Sequence, residues 1–414
     1  MANAKSTTPA LRFRGFDDEW KKSKLGDLTA RIVRKNINNE SKLPLTISAQ
    51  YGLVDQITYF NNRVASRDVS GYYLVFNGEF AYNKSSSDGF PFGTIKRLDL
   101  YEKGVLSTLY IVFGILNVMQ TDSDYLTTFF DTDKWHKGIA ERAAEGARNH
   151  GLLNISADDF MDIDLVHPSN KAEQTRIGKF FQNLDSLIAL QRRKLVKLQN
   201  VKKAMLQKMF PTRGSTTPQI RFAGFTEPWQ EQKLGDLAAQ TYGGGTPATA
   251  NEKYWGGDIP WIQSSDLTEN KLSGVVPRKY VTNAGLRASA TRLVPKNSIA
   301  IITRVGVGKL AIMPFAYTTS QDFLSLSNLK ANAQFSAYVI YNRLQSELHA
   351  VQGTSIKGIT KEELLAKELL LPDEKEQIKI GIYFKQLDTR ISLQQLKLEK
   401  LQNVKKACLA AMFV

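Results

Sequence analysis

The chain has 414 residues, enough for two or three domains with separate cores. It has no apolar run of membrane-spanning length, a polar start (Met1-Ala-Asn-Ala-Lys5) and a single cysteine, Cys408. The expectation is therefore no membrane association, no secretory signal, no internal disulfide, and a cytoplasmic location. The net charge of +15 is concentrated: residues 171–208 hold ten basic against two acidic residues, and residues 374–412 hold eight against four. That excess points to nucleic acid or an acidic partner, or to a solvated helix face that keeps the chain dispersed.

In chain order, residues 1–10 read as a flexible arm. Arg12-Phe-Arg-Gly-Phe16, Trp20 and Lys24-Leu-Gly-Asp-Leu28 then open a globular part. Apolar runs at Tyr72–Phe76 and Leu109–Phe113 predict strands, with turns at Gly71, Asn77-Gly78 and Asp88-Gly89. A helix is expected from about Ser123 to Ala147, ending near Gly146 and Gly151.

Residues 168–210 predict one long helix. Ile177, Phe181, Leu184, Ile188, Leu195, Leu198, Met205 and Met209 follow an alternating four-three spacing over about five heptads, the pattern of a coiled-coil seam. An amphipathic helix lying on a globular core would need no such sustained repeat. Gln191 and Lys202 are its polar interruptions. Residues 211–219, rich in Pro, Gly, Ser and Thr, read as a linker.

The chain then repeats itself. Arg221-Phe-Ala-Gly-Phe225, Trp229 and Lys233-Leu-Gly-Asp-Leu237 restate the opening phrase at an offset of 209 residues. Strands are expected at Ser298–Ile302 and Ala311–Met313, and a helix from Gln334 to Val351 followed by Gly353 and Gly358. Residues 372–414 are the second long helix. Ile380, Phe384, Leu387, Ile391, Leu398, Leu401, Cys408 and Met412 hold the same register, and Gln394 and Lys405 interrupt it. Lys197-Leu-Gln-Asn-Val-Lys-Lys-Ala204 returns unchanged as Lys400–Ala407. One unit is thus written twice. Because the linker is short, the second helix must run back along the first, giving an antiparallel pair about a pseudo-twofold axis; each helix is roughly 57 Å long at 1.5 Å per residue.

Catalytic spacing is missing. The Gly243-Gly-Gly-Thr-Pro247 and Gly306-Val-Gly-Lys309 runs lack the Gly-Lys-Ser/Thr ending of a phosphate loop, and His136, His150, His167 and His349 are scattered. No Asn-Pro-Pro-Tyr or Asp-Pro-Pro-Tyr motif occurs. The loops instead carry groups suited to reading base edges, where Arg and Lys meet guanine and Asn and Gln meet adenine. In the first half these are Lys84, Ser85, Ser86, Ser87, Lys96, Arg97, Arg148, Asn149 and His150. In the second they are Thr246, Lys253, Tyr254, Gln263, Ser264, Ser265, Arg304, Lys309, Thr354, Ser355 and Lys357. Singly each is an ordinary solvated loop residue; their recurrence at matching places in both halves gives them weight.

The layout resembles the specificity subunit of type I restriction–modification enzymes over essentially the whole chain. Tyr242-Gly-Gly-Gly-Thr-Pro247 with Tyr254-Trp-Gly-Gly-Asp-Ile-Pro-Trp-Ile-Gln-Ser-Ser-Asp-Leu267 is similar to that family's target-recognition domain, and the repeated helices to its conserved regions. The first half departs from this pattern with Ser48-Ala-Gln-Tyr-Gly52. The resemblance implies an α+β fold with two target-recognition domains, 11–167 and 220–371, separated by two long antiparallel coiled-coil helices. It further implies a non-catalytic subunit that binds double-stranded DNA and reads a bipartite, asymmetric target. Two methyltransferase subunits would bring S-adenosylmethionine, and two motor–nuclease subunits ATP and magnesium. The identical Lys202-Lys203 and Lys405-Lys406 pairs are expected to face the methyltransferase subunits. Two other readings stand: the specificity subunit of a stand-alone methyltransferase, and a coiled-coil scaffold that binds no DNA.

Overall fold

The computed structural model describes residues 7–87, 89–143, 151, 153–212, 214–350 and 358–414. It divides into two compact units. The first is the chain up to Gln191 together with Lys397–Val414; the second is Arg192–Leu396. Both long helices, Lys171–Lys208 and Glu374–Met412, are therefore shared between units.

In the first unit the opening strand Lys21–Lys24 pairs antiparallel with Asp164–His167, the strand that leads into the first long helix. Gln230–Lys233 and Glu368–Leu371 repeat this in the second unit. Each globular domain is then built on a four-stranded antiparallel sheet of the same order. In the first domain the order is Thr29–Ile32, Ile111–Ile115, Phe80–Asn83, Thr94–Arg97. In the second it is Ala238–Gly243, Phe323–Leu329, Ser298–Ile302, Leu310–Met313. Around this shared sheet the domains differ. The first adds two antiparallel two-stranded ribbons, the hairpin Leu45–Ser48 with Gly52–Asp55 and the long-range pair Tyr73–Phe76 with Lys103–Leu106. The second adds a three-stranded sheet around Trp255–Ile262.

Two local expectations are corrected. The strand expected at Leu109–Phe113 runs from Ile111 to Ile115, because Tyr110 is held in a turn by its N–H to Ser107 O. The helix expected from Ser123 to Ala147 is two helices, Ser123–Phe130 and His136–Arg142. Between them Thr132 turns its hydroxyl onto the Phe129 carbonyl, a side-chain bond that competes with helix propagation, and buried Trp135 anchors the restart. Gly146, Gly353 and Val351 lie outside the described residues. The corresponding helix of the second domain is a single span, Ala333–Ala350.

The helices Ser123–Phe130 and Ala333–Ala350 each dock on a long helix in the same way. Gln174 accepts the Asp122 N–H at 2.9 Å and donates to Pro168 O, while Gln377 accepts the Asn332 N–H at 3.1 Å and donates to Pro372 O. Gly178 and Gly381 sit at the contact. A Cβ on Gly178 would lie 2.6 Å from Tyr125 N, and one on Gly381 2.8 Å from Asn332 Oδ1. A helix-interior glycine costs about 1 kcal/mol against alanine, so close backbone approach is the reason for both. The opening motifs are tied down as strictly: Arg12 forks onto buried Glu173 at 2.6 and 2.8 Å, and Arg221 onto buried Glu376 at 2.8 and 2.8 Å.

The long helices run antiparallel in each unit. In the first, Phe181 near the start of one helix meets Phe413 at the end of the other, ring centroids 6.0 Å apart. In the second, Phe210 meets Phe384 at 5.8 Å. Ile177, Phe181, Leu184, Leu195, Ile380, Phe384, Leu387 and Leu398 are buried and Ile188, Leu198, Ile391 and Leu401 half-buried, so the four-three stripe faces inward throughout. Its ends enter the domain cores. Met412 and Phe413 join Trp20, Tyr125 and Phe129, while Met209 and Phe210 join Trp229, Phe335 and Tyr338. Among the described residues no helix is long and apolar enough to cross a membrane.

Candidate nucleic-acid interface

In the second domain, loops converge on the segment Thr318–Asp322. Gly245 donates its N–H to Thr319 O at 2.8 Å, and Trp261 Nε1 donates to Gly245 O at 3.0 Å. A Cβ on Gly244 would lie 1.8 Å from Ser320 O, and one on Gly245 2.4 Å from Thr291 N. The glycine run is thus a close backbone crossing, and it delivers exposed Thr246 to Gln321, hydroxyl to Oε1 at 2.7 Å. The sheet hairpin loop 303–309 is attached next to it, Thr303 N–H donating to Asp322 O at 2.8 Å. Arg304 stands exposed on this loop and Lys309 is half-buried at its far end. On another side Ser320 N–H donates to Ile262 O, which places the Gln263–Ser265 turn against the same segment.

Thr246, Gln263, Ser264, Ser265, Arg304 and Lys309 therefore belong to loops meeting around one segment. Lys253 and Tyr254 do not: their carbonyls accept from Thr282, hydroxyl at 2.8 Å and N–H at 3.0 Å, which fixes them to the short helix Asn283–Arg287. Sequence reasoning missed Arg278 and Lys279. Arg278 Nε lies 2.6 Å from Asp266 Oδ1, and its Nη2 donates to Ser265 O and Oγ, locking the Gln263–Ser265 turn. Lys279 Nζ lies 5.9 and 5.7 Å from the Trp255 and Trp261 rings. Basic residues directly following Pro277 were the available signal, but nothing in the first half repeats them.

The first domain places its candidates on the equivalent loop. Residues 84–93 join Phe80–Asn83 to Thr94–Arg97, as 303–309 join Ser298–Ile302 to Leu310–Met313. Ser86 donates N–H and hydroxyl to Gly151 O at 2.6 and 3.1 Å, and Lys84 Nζ donates to Ile155 O at 3.3 Å. Ser85 and Ser87 are exposed beside them. In the second domain the same loop meets the same downstream segment, Ile359 N–H donating to Thr303 O at 2.8 Å.

Lys96 and Arg97 lie at the end of this strand pair opposite the loop, across from Ala81 and Phe80. Lys96 Nζ is 2.7 Å from Asp131; Arg97 is 2.6 Å from Asp99 and 2.8 Å from Asp124. Burial works against the Arg97 charge, but Asp99 and Asp124 outweigh it and hold its pKa above the ordinary value. Both heads are thus neutralised by the domain's own carboxylates. Arg148, Asn149, His150, Thr354, Ser355 and Lys357 lie outside the described residues. Among the described residues no group of three or more His, Cys, Asp or Glu side chains could hold a metal ion.

Residues 226–403 match the family model for the type I restriction modification DNA specificity domain. The specificity subunit of type I restriction enzyme MjaIX from Methanocaldococcus jannaschii is 29% identical over 185 residues, 42% of this chain and 41% of that protein. A putative MjaX specificity subunit from the same organism is 24% identical over 290 residues, 68% of this chain and 64% of that protein. The EcoR124I/EcoR124II specificity subunit of Escherichia coli is 28% identical over 164 residues, 38% and 40% of the two chains. Each match thus spans less than two thirds of the relative's length. The crystal structure of the type I restriction–modification S subunit from M. genitalium shares the fold, with a TM-score of 0.59 at 14% identity over 98% of this chain and 99% of that one. A chain from a structure of type I R-M complex assembly and conformational transition gives 0.54 at 15% identity, over 96% and 98%.

The fold is that of a type I restriction–modification S subunit. The matched domain lies in the second half of the chain, and the curated relatives that it resembles are specificity subunits of type I restriction enzymes.

Proposed function

We propose that the chain selects the DNA site for a type I restriction–modification complex. Each globular domain reads one half of a bipartite, asymmetric target in double-stranded DNA, and the paired helices set the gap and dock two methyltransferase subunits. Two motor–nuclease subunits complete the assembly. On this reading S-adenosylmethionine, ATP and magnesium belong to those partner subunits, and this chain supplies binding alone. The observation that carries the reading is the repeated sheet with the same hairpin loop against the same downstream segment. Two copies of one loop platform, decorated with unlike residues, suit two unlike half-sites.

In each half the chemistry would divide as it does at other protein–DNA contacts. Lysines and serines at the loops hold phosphates and fix register, while Arg304, Gln263 and Thr246 reach base edges. The test is selection from a random duplex pool by the chain assembled with its methyltransferase partner. Enrichment of two fixed half-sites around a gap of constant length supports the proposal. A pool that stays random while the complex is intact overturns it and favours a scaffold that binds no DNA.

A further inference from the structure

Lys202 and Lys405 occupy one position of the two helix copies, 203 residues apart, in seam places where an apolar side chain is ordinary. They were expected to face partner proteins; the structure turns both inward, leaving Lys203 and Lys406 exposed. In the second unit Lys202 is buried. Its Nζ lies 2.6 Å from Asp388 on the other helix and donates to the Asn270 carbonyl of the globular domain at 2.8 Å. The hydroxyl of Tyr338, also from the domain, donates to Asp388 at 2.7 Å. In the first unit Lys405 Nζ lies 2.7 and 2.8 Å from the two oxygens of Asp185 on the other helix, and 3.3 Å from Asp131 of the globular domain. Asp185 and Asp388 are themselves equivalents, again 203 residues apart. Burial disfavours both charges in the first unit. Even so, Lys96 and Lys405 hold the Asp131 carboxyl below its usual range, and Asp131 and Asp185 hold the Lys405 ammonium above its own.

Stability does not account for this arrangement. A lysine at a seam position costs stability, and replacing a buried ion pair by apolar side chains is often neutral or favourable. The arrangement does supply geometry, since one ammonium with three donors ties three bodies together: its own helix, the opposite helix and the globular domain. We infer that Lys202 and Lys405 are positioning residues, each fixing the orientation of its globular domain on the helix pair and so setting how strictly the assembled complex enforces the gap between half-sites. This rests on the reading of the domains as half-site readers.

The test uses the full chain assembled with its methyltransferase partner, as wild type, Lys202→Met and Lys405→Met. Binding is measured on duplexes with the native gap and with gaps one base pair longer and shorter, beside thermal unfolding. The expected result is a lower Tm, because each variant leaves a carboxylate without its ammonium, retention of both half-site sequences, and a loss of discrimination between gaps larger than in a core variant of equal Tm, the ratio of affinities falling toward one. Unchanged discrimination in both variants overturns the inference, and so does a loss that only tracks a fall in Tm. A DNA-free arm separates this from failure of the half-site reading itself. Spin labels at exposed positions 66 and 186, in a Cys408→Ala background, report the domain-to-helix distance. Lys405→Met broadens that distribution if the clamp orients the domain; an unaltered width overturns the inference whether or not the complex reads DNA.

Discussion

Replacing Phe413 by alanine tests whether the C-terminal helix end is part of the first domain's core. Phe413 is 3% exposed, and its ring lies 6.4 Å from Trp20, 5.6 Å from Tyr125, 6.2 Å from Phe129 and 6.0 Å from Phe181. Trp20, Tyr125 and Phe129 stand nearly 300 or more residues earlier in the sequence, so nothing local can replace the contact. Removing a buried phenylalanine costs about 3–5 kcal/mol in lost transfer energy and cavity. At roughly 2–4 °C per kcal/mol for a unit of this size, the melting transition of the first unit falls by about 6–20 °C. Phe210 is the counterpart, 3% exposed and 5.9, 5.9 and 5.8 Å from Trp229, Phe335 and Phe384. Phe210→Ala should lower the transition of the second unit by a similar amount. The assay is scanning calorimetry, with proteolysis at the two transitions to assign each to its unit. If Phe413→Ala leaves the first unit within about 1 kcal/mol of wild type, the docking of the C-terminal helix into that core is wrong.

Two further outcomes follow from the helix contacts. Gly178→Ala should destabilise the first unit even though alanine is the better helix former by about 1 kcal/mol, because its Cβ would press on Tyr125 N and Asp124; a rise in Tm would contradict the close approach. The Asp131 clamp gives a pH signature. A carboxyl depressed below its unfolded-state value stabilises above that value, and the contribution is lost as pH falls through the depressed folded-state pKa; the raised Lys405 contributes below the ordinary lysine value and loses that contribution as pH rises through its folded-state pKa. The first unit should therefore show a flat neutral range, and Asp131→Asn should flatten the acid limb of its Tm profile. An acid limb identical to wild type would show that Asp131 does not contribute to it.

Much of the frame was legible because it was written twice. The four-three stripe and the duplicated Leu-Gln-Asn-Val-Lys-Lys phrase specify paired helices, since seam burial depends only on local periodicity. The common sheet was hidden: strands such as Phe80–Asn83 and Ser298–Ile302 share a place in the strand order but little sequence, and order is a long-range property. The lysines were visible as interruptions, yet their burial depends on Asp185 and Asp388 arriving from the other helix, which spacing along one helix does not reveal. Arg12 with Glu173 and Arg221 with Glu376 were a missed signal of another kind. Both members of the pair recur in both copies, and a reading that compared repeats pair by pair would have joined them. At the loops, Arg304 and Lys96 look alike in sequence; only the fold separates an exposed head from one bound to Asp131.

The central claim is that the two globular domains read DNA separately on a common spacer. Its most direct test replaces residues 231–371 with the corresponding domain of a type I specificity subunit and maps methylated bases across the genome of the expressing cells. A bidentate base contact contributes about 1–3 kcal/mol of discrimination and acts only where its side chain is held. The account therefore predicts a new second half-site with the first half-site and the gap unchanged. A swap that alters both half-sites together would contradict it.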